Sequence, residues 1–362
     1  MPHLRRSASG VAVTFAVGTV VTLLAQRGTA PSSMAAPGST EATRRVVTAA
    51  QAVLGTLDDS GRRRVQFPFE GPQKTKWSNL PSGIFQREGL RLSDLTAPQR
   101  AAVMTLVETA LSRTGYQKVR DIMRGDEVLR QGGAANGAGG RGQRGGGRGP
   151  GGPTFGEGEY YLAFLGTPST TEPWMLQFGG HHLAINLTVG GSQASMTPSL
   201  PAAQPATYTV EGRTVRPLGA ENDKAFALIN ALDDGRRSQA VLKYRVSDLV
   251  LGPGQDGRTI QPEGLRAALL TAPQQTMLLE IIREWAGIVT DAFAAPRMAE
   301  LKANLPRTYF AWSGPTTNGT AAYFRIQGPT LVIEYAPQGS VDHIHTIYRD
   351  PTNDYGAKFT RK

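Results

Sequence analysis

With 362 residues, 40% of them hydrophobic, the chain is long enough for two modest domains and apolar enough for a real core, which excludes a disordered protein. It has no cysteine, so its fold stands on packing and thiolate chemistry is excluded. Six of the arginines behind its +10 charge (Arg5, Arg6, Arg27, Arg141, Arg144 and Arg148) lie in two acid-free stretches, and the remaining +4 is no argument for a nucleic-acid partner.

The chain opens with Arg5-Arg6, followed by 15 uncharged residues from Val11 to Ala25. That stretch is shorter than the roughly 20 residues a membrane span needs, and it fits a signal peptide. Leu23-Leu24-Ala25 and Ser33-Met34-Ala35 are both suitable cleavage contexts. Residues 1–36 are therefore expected to be leader and spacer, with a periplasmic or secreted product that is not membrane-inserted once cleaved.

A first helix is expected where Val46, Val47, Ala50, Val53, Leu54 and Leu57 recur at helical spacing. A second follows Leu95, with Thr96 as N-cap, Pro98 in the first turn and Gln99 completing a capping box. Its buried stripe is Val103, Leu106, Val107, Ala110 and Leu111. Residues 131–152 are low-complexity Gly/Arg and read as a flexible surface insertion. Beyond them, Glu159–Phe164, Trp174–Phe178 and Leu183–Leu187 read as strands, with a hairpin turn at Gly179-Gly180-His181-His182.

Both features return downstream. Leu57, Gly89 and Leu95 stand 175 residues before Leu232, Gly264 and Leu270, and each sits in a matching string: Leu-Asp-Asp, Glu-Gly-Leu-Arg and Leu-Thr-Ala-Pro-Gln. The β segments repeat at an offset of 148, with Gly180 over Gly328, and the extra chain of the first copy accounts for the difference. The expected fold is α+β, built from a duplicated helix-plus-β-hairpin unit as two pseudo-symmetric halves sharing one core. The first repeat spans 43–190, a linker 191–217 and the second repeat 218–359.

Five histidines occur; His3 lies in the leader, and the others form the pairs His181-His182 and His343-x-His345. On a strand, period-2 alternation puts His343 and His345 on one face, as two ligands of one ion must be. Leu183, Ile185 and Leu187 form the core face of their strand, which leaves His182 with Ala184 and Asn186 on the other. The second repeat has Thr330 where the first has His182, and Glu334 where it has Asn186, so the histidines are not required by the repeat itself.

Three imidazoles hold Zn or Cu and leave a position open for water or substrate. His182 is the expected partner of His343 and His345, with His181 as its substitute. Asp342, Glu334 and Asp350 are candidate partners for ring N–H groups, and Arg349 for an anionic substrate group. This makes Glu334, Arg349 and Asp350 the candidate catalytic set. The same residues also admit a metal-free acid–base site or a purely structural role. Gly252-Pro253-Gly254-Gln255-Asp256-Gly257 matches a dinucleotide fingerprint by letter only, since no helix follows it.

Two strings carry a family resemblance: Thr171-Glu172-Pro173-Trp174 through His181-His182-Leu183, and Asp342 through Pro351. With them the chain resembles the domain-of-unknown-function 3500 family over about residues 43–359. The resemblance implies a secreted or periplasmic protein and brings no activity with it. The functional expectation is a metal-dependent extracytoplasmic enzyme of hydrolase type acting on a small molecule. The alternative is a non-enzymatic ligand- or metal-binding protein.

Overall fold

The apolar stripes of the sequence become helices packed on the face of a sheet. The computed structural model describes residues 37–136 and 152–360. The expected leader and most of the Gly/Arg tract lie outside the described residues. Residues 131–136, the start of that tract, continue a long helix.

In chain order the first half holds α1 (Pro37–Gly55), α2 (Asp59–Val65), β1 (Gln66–Phe67), β2 (Leu90–Arg91), α3 (Ala97–Ala110), α4 (Arg113–Asn136), β3 (Tyr161–Leu165), β4 (Trp174–Gly180) and β5 (Leu183–Gly190). Next come four short strands, β6 (Gln193–Ser195), β7 (Leu200–Pro201), β8 (Tyr208–Val210) and β9 (Arg213–Val215). The second half holds α5 (Gly219–Ala231), α6 (Asp234–Ala240), β10 (Leu265–Arg266), α7 (Ala272–Ala286), α8 (Asp291–Asn304), β11 (Tyr309–Ser313), β12 (Tyr323–Gly328), β13 (Leu331–Pro337) and β14 (Ile344–Arg349). The class is α+β.

Matching sequence strings make matching local structure. Thr96 and Thr271 each form a full capping box with the glutamine three residues on. Each glutamine also donates back to the end of an earlier helix, Gln99 to the Thr56 carbonyl at 3.0 Å and Gln274 to the Ala231 carbonyl at 2.8 Å. Val103 and Leu278, both fully buried, sit in α3 and α7. Strand registers correspond as well: Gln177 opposes Asn186 as Arg325 opposes Glu334, and Gly180 opposes Leu183 as Gly328 opposes Leu331.

The two sheets meet edge to edge. β14 closes one sheet, and the 199–203 segment of the other runs antiparallel to it. Ser199 and Tyr348 exchange backbone hydrogen bonds at 2.9 and 2.8 Å, and Ala203 and Ile344 do so at 2.9 Å both ways. The expectation of a linker over 191–217 is thus corrected. Leu200, Ala202 and Ala203 are buried in the seam, in a segment whose only strand is two residues long, too short to show an alternating pattern.

The expectation of one shared core is corrected too. The apolar faces of the two sheets are covered by different helices, so two main cores form, one around Val103, Leu106 and Phe178 and one around Leu278, Trp285 and Phe324. The halves still interlock, because Val289, just before α8, and Phe293 and Ala294 in its first turn pack into the first core. A buried ion pair, Lys118 to Glu221, ties α4 to α5 at 2.5 Å.

Candidate metal centre

The β4–β5 hairpin turns on His181-His182 between the paired residues Gly180 and Leu183. His182 takes a positive φ of 60°, a conformation that costs a non-glycine residue free energy and persists only where its surroundings hold it. Two backbone bonds do so. His182 donates its N–H to the Asn79 carbonyl at 3.1 Å, and its own carbonyl accepts from Ala202 at 2.8 Å. Ala202 belongs to the seam, and its neighbour Ala203 is paired with Ile344, which His343 and His345 flank. The seam therefore carries the second histidine pair to the first across more than 160 residues of chain.

The Nε2 atoms of His182 and His343 lie 3.0 Å apart, as do those of His343 and His345. The three ligand atoms all fall within 4.8 Å of one another. The expected strand over 341–347 starts three residues later, at Ile344, so His343 lies just before β14, yet its Nε2 still meets that of His345.

A carboxylate stands behind the cluster. Asp248 Oδ1 lies 3.1 Å from His345 Nδ1 and is fixed in turn by the Leu249 N–H at 2.6 Å and Gln338 Nε2 at 2.7 Å. Burial acts to raise the Asp248 carboxyl, but these bonds outweigh it and hold the group below its ordinary range. Burial, reinforced by the neighbouring histidines, pushes His182 well below the usual imidazole value and His343 down to about 4. Near neutral pH both rings are uncharged and keep a lone pair, the form that binds metal. His182 Nδ1 is buried with no hydrogen-bond partner.

His181 is not part of this convergence. Its Nδ1 meets Asp126 Oδ1 at 2.6 Å, and its ring stacks on His182 with centroids 3.7 Å apart. The two rings lie side by side, but Asp126 engages His181, and the nitrogens that converge are those of His182, His343 and His345.

The candidate catalytic set is also engaged elsewhere. Glu334 is fully buried and accepts from the Val250 and Leu251 N–H groups at 2.9 and 2.7 Å and from the Tyr323 hydroxyl at 2.6 Å. All three guanidinium nitrogens of Arg349 are occupied, by Asp354 and by the Leu251 and Gln255 carbonyls. Asp350 pairs with Arg297 at 2.9 Å and caps Thr352, lining a separate cavity with Tyr348 and Thr197. Asp342 accepts from the Ala206 N–H at 3.1 Å. Each of these residues holds backbone in place instead of facing the histidines.

Sequence reasoning missed Asp248 and Asn79, whose amide nitrogen lies 3.1 Å from His345 Nε2. Both come from irregular loops, where no periodicity announces a contact.

Fold and site together define an α+β protein with a three-histidine cluster at the seam between its halves. The profile of the family described as "Protein of unknown function (DUF3500)" matches residues 39–357, and the chain belongs to that family. Neither the curated proteins nor the solved structures include a match.

Proposed function

We propose that the chain is an exported metalloprotein whose His182, His343 and His345 bind a divalent ion, Zn or Cu, and that it works as a metal-dependent enzyme of hydrolase type. The observation that carries this reading is the pair of 3.0 Å contacts among three Nε2 atoms. Asp248 calls for a proton on His345 Nδ1, which leaves Nε2 of the neutral ring as a lone pair. His343 Nε2 then has lone pairs or shared protons on both sides, an arrangement an ion relieves better than a single proton. A carboxylate behind a ligating imidazole is the usual outer support of a zinc site. His343 and His345 are only partly buried, so an ion there has access to water, whose pKa it would lower towards about 7.

A second reading, a non-enzymatic metal-binding protein, draws on Asp248 itself: bonded to His345, it leaves no free carboxylate among the groups described around the cluster to move protons. Elemental analysis and zinc titration of untagged protein test the metal. The wild type should take up one zinc per chain, and the double variant His343→Ala/His345→Ala none, while its circular dichroism stays unchanged. Zinc uptake by the double variant, or none by the wild type, removes the reading. Zinc-dependent turnover of ester or phosphoester substrates separates enzyme from carrier.

The basic-then-apolar start supports export with cleavage before about residue 36; an intact Met1 on the native cytoplasmic protein sinks it. The matching capping boxes and strand registers support an internal duplication, and superposition of 43–190 on 218–350 without overlap of α3 and α7 refutes it.

A further inference from the structure

We infer that Asn79 completes the centre, its side-chain amide oxygen acting as a fourth donor that an incoming anion displaces; this rests on the metal reading above. Four ligands at about 2.0–2.1 Å around a tetrahedral ion stand roughly 3.3 Å from one another. Two of the three histidine contacts are 3.0 Å within a set that spans up to 4.8 Å, and the Asn79 amide nitrogen stands 3.1 Å from His345 Nε2. A group that reached the ion only through water would lie farther away.

Chemistry then selects the atom. Without an ion, the amide NH2 donates to the imidazole lone pair. With an ion in the cluster that lone pair is spent, and an N–H facing a cation is repelled. A half-turn of the amide places Oδ1 where Nδ2 was, at no cost in position. Asn79 would thus answer metal binding by reversing its amide.

The loop is built to hold that group. Asn79 accepts the His182 N–H through its own carbonyl, so ligand and loop share a backbone bond. Arg87 Nη2 donates to the Ser78 and Leu80 carbonyls, on either side of Asn79, at 2.8 and 2.6 Å, and to the Gly180 carbonyl before the histidine pair at 2.8 Å. One guanidinium nitrogen therefore fixes the loop against the turn that carries His182. Burial lowers the Arg87 pKa to about 10, which leaves it charged at neutral pH.

Three imidazoles and an amide are all neutral, so the ion keeps its double charge and attracts anions. The amide oxygen is the weakest of the four donors and is the one an anion replaces. The test uses untagged full-length protein loaded with Co(II), read by visible absorption and titrated with thiocyanate. Asn79→Ala should weaken cobalt binding about tenfold and open a position. Thiocyanate should then bind about tenfold more tightly than to the wild type, which must first release the amide. Asn79→Asp keeps an oxygen donor, so it should hold cobalt at least as tightly as the wild type and resist thiocyanate. Melting curves of both variants identify any failure to fold. If the wild type binds cobalt and Asn79→Ala matches it in spectrum and in both affinities, Asn79 is not a ligand. Loss of cobalt by Asn79→Asp to the same degree as by Asn79→Ala likewise removes Asn79 from the ligand set. A wild type that binds neither cobalt nor zinc overturns the metal reading and this inference together.

Discussion

Glu334 offers the sharpest contrast between a catalytic and a structural carboxylate. One oxygen accepts both the Val250 N–H and the Tyr323 hydroxyl, and the other accepts the Leu251 N–H. Glu334→Gln is close to isosteric, but it must turn an NH2 group towards one of those donors. Either Leu251, or Val250 together with Tyr323, then loses its acceptor in a fully buried place. An orphaned buried donor costs about 1–3 kcal/mol, and donor facing donor adds to it, so a loss of about 2–4 kcal/mol is expected. Against a typical total of about 5–15 kcal/mol this is a large share. Urea denaturation followed by tryptophan fluorescence should show a clearly lower midpoint. Because Leu249 and Leu251 flank Val250 and Asp248 lies just before them, the variant should also weaken zinc binding through the displaced loop. A midpoint equal to the wild type, with zinc affinity kept, refutes this account of Glu334.

Two other outcomes follow from the same geometry. Asp248→Asn should weaken zinc binding by roughly 10–100-fold while leaving the melting temperature of the metal-free protein nearly unchanged, measured by chelator competition and thermal denaturation. The metal-free protein should lose stability as the pH falls from about 6.5 towards 4. The unfolded His343 takes a proton near the ordinary value, while the folded ring resists it down to about 4. His182, depressed by burial, adds to the loss in the same direction. Thermal melts across that range should fall more steeply for the wild type than for His343→Ala, and equal slopes contradict the assignment.

What the sequence disclosed was local. Capping boxes at Thr96 and Thr271 follow from residues three apart, and the His343/His345 face follows from strand period, so both could be read without knowing what lies across from them. The meeting of His182 with His343 was expected from the repeated strings, while the 199–203 segment that joins them carried no pattern of its own. What escaped depends on the partner across the space. His181 and His182 are neighbours in sequence, yet one faces Asp126 and the other His343, a division set by the backbone of the turn. Glu334 and Arg349 looked chemical because charged residues stood among apolar ones. Glu334 is spent on loop N–H groups 83 and 84 residues away, and Arg349 on Asp354 and on loop carbonyls 94 and 98 residues away, contacts that no alternation of polar and apolar residues encodes. Asn79 and Asp248 had no pattern to offer, since irregular loops gain meaning only from what they reach.

The seam has a consequence for folding as well as for chemistry. His182 and His343 close a loop of 161 residues, and they do so across the contact between two separately cored halves. An ion bound there is a cross-link in a chain that has no cysteine to make one. In the chain-entropy picture a permanent link across so long a loop restricts the unfolded state by several kcal/mol. A metal link is reversible, and its strength follows the free metal concentration and pH. The tightness with which the two halves hold each other would then be set by the metal supply of the compartment in which the protein finds itself.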